Sequence, residues 1–117
     1  MPHKDELGRR GEALAVDHLT ATGFEIIERN WRSARGELDI IARDGAEVVV
    51  VEVKTRSNLS RGNPLDAITG PKLARLRRLA REWASEHGHP AAVRIDAIGI
   101  VAPTHGLVEI DHVRGVF

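Results

Sequence analysis

The sequence predicts a single α/β domain with five or so strands and two main helices, and three observations carry that expectation. Asp44-Gly45 lies between two strand-like runs, Glu37–Arg43 and Ala46–Thr55. It reads as a two-residue hairpin turn, because a type I′ turn needs positive φ at both central positions. Val48-Val49-Val50-Val51 is apolar on both faces, so this strand is expected to be central and covered on both sides. Two segments with apolar residues at helical spacing, one before the hairpin and one after, supply the covering layers. A chain of 117 residues is long enough for one modest core without staples.

Taken in order, Asp5 to about Ala21 reads as a helix, with Leu7, Leu14, Ala15 and Leu19 on one stripe. Gly23 ends it as a C-cap. Gly8 and Gly11 weaken a helix intrinsically, so their presence points to close approach of another element. Glu12 falls at the border of the apolar stripe, where an acid is usually exposed, and its membership of a site stays open. Phe24–Arg32 is a mixed strand expected to pair with Glu37–Arg43. Trp31 has two readings, a base-stacking platform or a buried anchor of the sheet, and the second is the commoner use. Ser57–Pro64 is a polar loop, either a plain connector or a flap beside a site. After a short helical turn at Pro64–Ile68, Thr69 N-caps a second helix running to about Glu86, with Gly88 beyond its end. Leu73, Leu76, Ala80 and Trp83 mark its buried face, and Arg75, Arg77, Arg78 and Arg81 fall opposite. Val93–Ala102 and Leu107–Val113 read as strands around a Pro103–Gly106 turn. Asp96 interrupts the first of these and is expected to pair with an arginine or support the core.

The hairpin concentrates charge. With Arg43 opposite Ala46, Asp39 faces Val50, Glu37 faces Glu52 and Arg35 faces Lys54. Side chains alternate with period two, so Glu37, Asp39, Glu52 and Lys54 project from one face, together with Ile41 and Val48. Two glutamates directly opposed would repel, and partial burial would raise a carboxyl pKa further. A divalent cation removes that conflict, since hard cations take oxygen ligands. The competing reading is a solvated face; the valine run beside the acids favours a site.

Composition narrows the classes. With no cysteine, disulfides, thiolate metal sites and cysteine catalysis are excluded, and a reducing cytoplasmic setting is the default. The start, MPHKDELGRRGE, lacks the apolar stretch of a signal peptide, and no run reaches membrane-spanning length. The six histidines show no metal-ligand spacing, and His87-Gly88-His89 reads as a turn. A phosphate-cradling glycine loop is absent too, because Gly8–Gly11 has no preceding strand. Formal charge balances to zero overall, yet residues 54–81 carry eight Lys/Arg against one acid, net +7. Such asymmetry points to a polyanionic partner. On the second helix the basic face suits phosphate contacts, with a merely solvated face as the alternative.

Several elements together resemble a known family. They are Gly11-Glu12 with Ala15 and Leu19, Gly23, Arg29-Asn30-Trp31-Arg32, Gly36-Glu37-Leu38-Asp39-Ile40-Ile41, Val51-Glu52-Val53-Lys54-Thr55-Arg56, and Lys72. In these the chain resembles the YraN-type family of small uncharacterised bacterial proteins, which are similar to Holliday-junction resolvases and the wider PD-(D/E)xK nucleases. The resemblance implies a restriction-endonuclease-like α/β fold, a central mixed sheet of about five strands flanked by helices, forming one nuclease-like domain over residues 1–117. It implies Asp39 and Glu52 as metal ligands and Glu12 completing the metal or water site. Lys54 would hold the attacking water or steady the phosphorane charge. Mg²⁺ or Mn²⁺ is the implied cofactor and DNA the implied partner. Arg56, Arg61, Lys72, Arg75 and Arg78 are candidates for phosphate contact. Leu38 stands where the motif's name has proline, and Glu37 has no role in the nuclease comparison. Resolvase-like relatives act as two-fold dimers, so a homodimer belongs to the expectation. The functional expectation is a metal-dependent endonuclease-like protein acting on DNA, branched DNA included. Its alternatives are a non-catalytic nucleic-acid-binding module on the same fold, and an interaction protein that dimerises through the hairpin or second helix.

Overall fold

A computed structural model describes residues 5–88 and 92–116. The first four residues of the charged N-terminal stretch, and His89 of the histidine turn, lie outside the described residues. The chain runs α1 (Glu6–Ala21), β1 (Glu25–Ser33), β2 (Gly36–Asp44), β3 (Glu47–Arg56), a 3₁₀ turn (Pro64–Ala67), α2 (Gly70–Glu86), β4 (Arg94–Val101) and β5 (Glu109–Val113). The five strands form one sheet in sequence order, β1-β2-β3-β4-β5. β1, β2 and β3 are an antiparallel meander, β3 and β4 are parallel, and β5 returns antiparallel to β4. The parallel pair requires a crossover, which the 3₁₀ turn and α2 provide. The expected mixed sheet flanked by helices is therefore present, with β3 at its centre.

The hairpin turn differs from expectation. Asp44, not Arg43, closes the ladder, and it pairs with Glu47; Arg43 pairs with Val48 and Ile41 with Val50. The turn is thus Gly45-Ala46, with Gly45 at φ +61° and Ala46 outside the positive-φ set. Positive φ at the first central position alone is the type II′ pattern. The cause is tertiary. Arg94 donates to Asp44 Oδ2 at 2.9 Å and to Glu47 Oε1 at 3.0 Å, holding both residues as the last opposed pair. Asp39 consequently does not face Val50, and Glu37 and Arg35 do not face Glu52 and Lys54. Each strand slips by one residue, so the parity of the faces survives.

Two apolar layers enclose the sheet. Against α1, Ala15 and Leu19 meet Ile40, Ala42, Val49, Val51, Ile98 and Ile100. Against α2, Leu76, Leu79, Ala80 and Trp83 meet Trp31, Leu38, Ile41, Val48, Val50 and Ile95. Val48–Val51 face both layers alternately, as the double-sided run required. Trp31 is buried in the α2 layer, the anchoring use. Asp5 starts α1 by accepting the Gly8 N–H at 2.7 Å, and Thr69 starts α2 by accepting the Lys72 N–H at 3.4 Å. Gly11 is where α1 touches β3: a Cβ there would run into the Thr55 side chain. None of the described helices is long and apolar enough to cross a membrane.

Asp96, fully buried on β4, is saturated with donors. Arg94 Nε reaches it at 2.9 Å, His112 Nε2 at 2.9 Å and the Gly115 N–H at 3.0 Å. Burial pushes its carboxyl up, but these bonds outweigh burial and leave it below the usual carboxylate range. His112 Nδ1 in turn lies 3.1 Å from His18 Nε2. His18 is itself held below its ordinary pKa by burial and by the neighbouring His112 and Arg114. Asp96 is thus architectural, tying β4 to β5, α1 and the hairpin end.

Candidate functional site

The site begins where the β2–β3 ladder stops. Regular pairing ends at Ile40–Val51, and just past it the Asp39 carboxylate accepts the Val53 N–H at 3.0 Å. A side chain there does the work of a ladder carbonyl. Strict alternation would also put Leu38 on the Ile40 face, yet Leu38 packs with Ile41 in the α2 layer. The alternation breaks at Asp39, which lines two clefts at once, one under α1 and one under α2.

The α1-side cleft holds Asp5, Gly8, Glu12, Asp39, Lys54 and Thr55. Glu12 is not exposed as its border position suggested; it is 3% accessible. Its carboxylate accepts from Asn30 Nδ2 at 3.3 Å and pairs with Arg29 Nη2 at 3.6 Å. Asn30 reaches it from a left-handed backbone, φ +54°, which asparagine tolerates better than most residues.

On the α2 side lie Glu37, Asp39, Glu52, Lys72 and Arg75. Asp39 and Glu52 are each 8% accessible, and both line this cleft. Burial first, and the Asp39 charge second, push the Glu52 carboxyl up to about 8. Lys72 pulls the other way, with its Nζ 2.9 Å from Glu52 Oε2, and is outweighed. The 2.9 Å contact holds in both protonation states, because a neutral carboxyl still offers its carbonyl oxygen. Near neutral pH the raised Glu52 carboxyl keeps its proton. Two hard oxygen donors in conflict over charge fit a divalent cation, and Mg²⁺ is commonly held by one or two carboxylates with water completing its shell. Among the described residues no group of three or more His, Asp or Glu is gathered as metal ligands are, so the donor set on view is this pair, with Glu12 across Asp39 in the other cleft.

The expected one-face cluster is thus replaced by two clefts meeting at Asp39, with Lys54 in one and Glu52 in the other. Glu37 lines the α2-side cleft, paired with Arg32 at 3.2 Å. Arg56 and Arg61 line a groove with Ser57, Asn58 and Ser60 that shares Leu7 and Thr55 with the α1-side cleft. Arg75 borders the acid pair, while Arg78 and Arg81 line a separate groove with Arg35 and Glu82. Sequence reasoning had placed Lys72 among phosphate contacts without its partner Glu52. It also missed Arg29 and Asn30 as the clamp on Glu12; an asparagine inside a strand run, where it is a poor fit, was the available signal.

Residues 11–100 match the uncharacterised protein family UPF0102. A UPF0102 protein of Frankia alni is 49% identical over 118 residues, covering 100% of this chain and 98% of its own length. One from Beutenbergia cavernae is 50% identical over 117 residues, covering 99% of each. Among solved structures, Hjc of Archaeoglobus fulgidus, a Holliday junction resolvase, is similar in fold, with TM-score 0.50 and 18% identity over 89% of this chain and 75% of that one. On a nuclease-like fold shared with that resolvase, the chain belongs to the uncharacterised protein family UPF0102.

Proposed function

We propose that this protein is a metal-dependent endonuclease-like phosphodiester hydrolase acting on DNA, branched DNA included, in a cytoplasmic setting. The observation that carries the reading is the buried Asp39–Glu52 pair in one cleft at the broken end of the β2–β3 ladder. Its fold likeness to a Holliday junction resolvase supports DNA as the substrate class. Asp39 and Glu52 would hold Mg²⁺ or Mn²⁺, which when bound acidifies a water and polarises a phosphoryl oxygen. Asp39, fixed by the Val53 N–H, sets the position of that centre. Glu12, oriented by Arg29 and Asn30, accepts a hydrogen bond from the attacking water. Lys54, in the same cleft as Glu12 and Asp39, neutralises charge developing at phosphorus; a point-charge ammonium suits that role. Arg56, Arg61, Lys72, Arg75 and Arg78 offer phosphate contacts on the flanking grooves.

The experiment is cleavage of end-labelled duplex, nicked and four-way-junction DNA with Mg²⁺ or Mn²⁺. Asp39→Asn and Glu52→Gln are expected to lower cleavage by about 100-fold or more, in keeping with the several kcal/mol a positioned cation supplies. A folded wild-type protein that cuts none of these substrates with either metal removes the hydrolase.

One observation favours the non-catalytic nucleic-acid-binding alternative: the Glu12 carboxylate is already engaged by Arg29 and Asn30. That reading expects salt-sensitive binding unaffected by Asp39→Asn. Replacing Arg75 and Arg78 together with Gln would then lower the salt slope by about 2.

A further inference from the structure

We infer that Lys72 is a charge placeholder: it rests on Glu52 in the cation-free protein and is handed to a DNA phosphate when a divalent cation binds Asp39 and Glu52. Cation and DNA would then bind cooperatively through one side chain. The inference rests on the reading of Asp39 and Glu52 as cation ligands. Lys72 Nζ lies 2.9 Å from Glu52 Oε2, on an oxygen that a hard cation would take. Two positive centres competing for a carboxylate that is 8% accessible disfavour each other. The backbone of Lys72 is fixed in the first turn of α2 by Thr69, so only its flexible side chain has to move. That side chain is 28% accessible and has a way out toward solvent. The cleft it lies in also contains Arg75, so a released ammonium stays beside a guanidinium, two cations together at the mouth of the cleft. Lys54 lines the other cleft, away from Glu52, and is not the residue that makes this exchange. Coupling of this kind is reciprocal: DNA that takes up Lys72 raises cation affinity by the same factor.

The test measures Mn²⁺ binding to the full chain by electron paramagnetic resonance, for wild type, Lys72→Gln and Lys72→Arg. Junction DNA binding is followed by fluorescence anisotropy in EDTA and in Ca²⁺. Lys72→Gln is expected to bind Mn²⁺ roughly fivefold more tightly, the upper range for the effect of one partly exposed charge on another. Wild type is expected to gain DNA affinity on adding Ca²⁺, Lys72→Gln to lose most of that gain, and Lys72→Arg to keep it. A lysine that merely repels the cation gives Lys72→Gln an equal or larger gain, because its bare acid pair repels DNA more strongly before Ca²⁺ is added; that result overturns the proposal. Unchanged or weaker Mn²⁺ binding by folded Lys72→Gln overturns it too, as does a wild type whose DNA affinity ignores Ca²⁺. Wild type that binds no Mn²⁺ at all brings down the cation reading itself, a result distinguishable from failure of the coupling alone.

Discussion

The Asp39 carboxylate accepts the Val53 N–H at 3.0 Å, so one side chain both closes the β2–β3 ladder and offers an oxygen to the acid pair. Removing it therefore mixes two effects. Asp39→Ala leaves the Val53 N–H without its acceptor at a partly buried site, a loss of about 1–3 kcal/mol. Asp39→Asn keeps an amide oxygen for Val53 while removing the charge. Urea denaturation is expected to show Asp39→Ala destabilised by that amount and Asp39→Asn close to wild type, with both failing to bind Mn²⁺. Equal stability of the two variants would mean the Val53 bond contributes little.

Glu52 makes the cation-free protein sensitive to pH in an unusual direction. Its folded-state pKa, about 8, lies above the ordinary 4.5. Between those values the folded chain holds a proton that the unfolded chain releases. The stability this supplies is complete below pH 4.5 and is lost as pH rises through 8. Thermal unfolding in EDTA is expected to weaken from pH 5 to pH 9 by a few kcal/mol, on the order of 10 °C in Tm for a domain this size. Glu52→Gln has no such proton to lose and should flatten the profile, becoming more stable than wild type at pH 9. Saturating Mn²⁺ should restore wild type at pH 9 and leave Glu52→Gln unmoved. A flat wild-type profile contradicts the buried pair.

The features legible in the sequence are those encoded by neighbours. Val48–Val51 announced a central strand because alternate residues had to be apolar on both faces, and Thr69 and Gly88 marked the limits of α2 by capping chemistry. Asp39 and Glu52 were recognisable because the hairpin slipped by one residue on each strand, which preserves the face of every regularly paired residue leading up to them. The turn itself was misjudged, because Asp44-Gly45 satisfies the local rule for a type I′ turn and the deciding partner, Arg94, lies 50 residues along the chain. Local periodicity could not reveal the break of alternation at Leu38 and Asp39 either, since it arises from a side chain replacing a backbone acceptor. For the same reason Lys72 looked like one more cation of a basic helix: its contact with Glu52 exists only once α2 has crossed over the sheet.

Gly11 links helix packing to the site. A Cβ at this position would collide with the Thr55 side chain, including its Cβ at 2.7 Å and Cγ2 at 2.8 Å. A methyl group therefore forces α1 away from β3. Glu12 follows directly on α1, and Thr55 follows Lys54 on β3, so the displacement opens the cleft that holds Glu12, Asp39 and Lys54. Overpacking of this kind costs about 1–3 kcal/mol, despite the higher helix propensity of alanine. Gly11→Ala is expected to lower stability in urea by that amount and, under the proposed reading, to reduce cleavage even where the protein is fully folded. Thr55→Ala in the Gly11→Ala background removes Oγ1 and Cγ2 but leaves the 2.7 Å contact with Cβ, so it should recover part of the stability and not all. Full recovery, or no initial loss, would show that α1 does not seat against β3 through this contact.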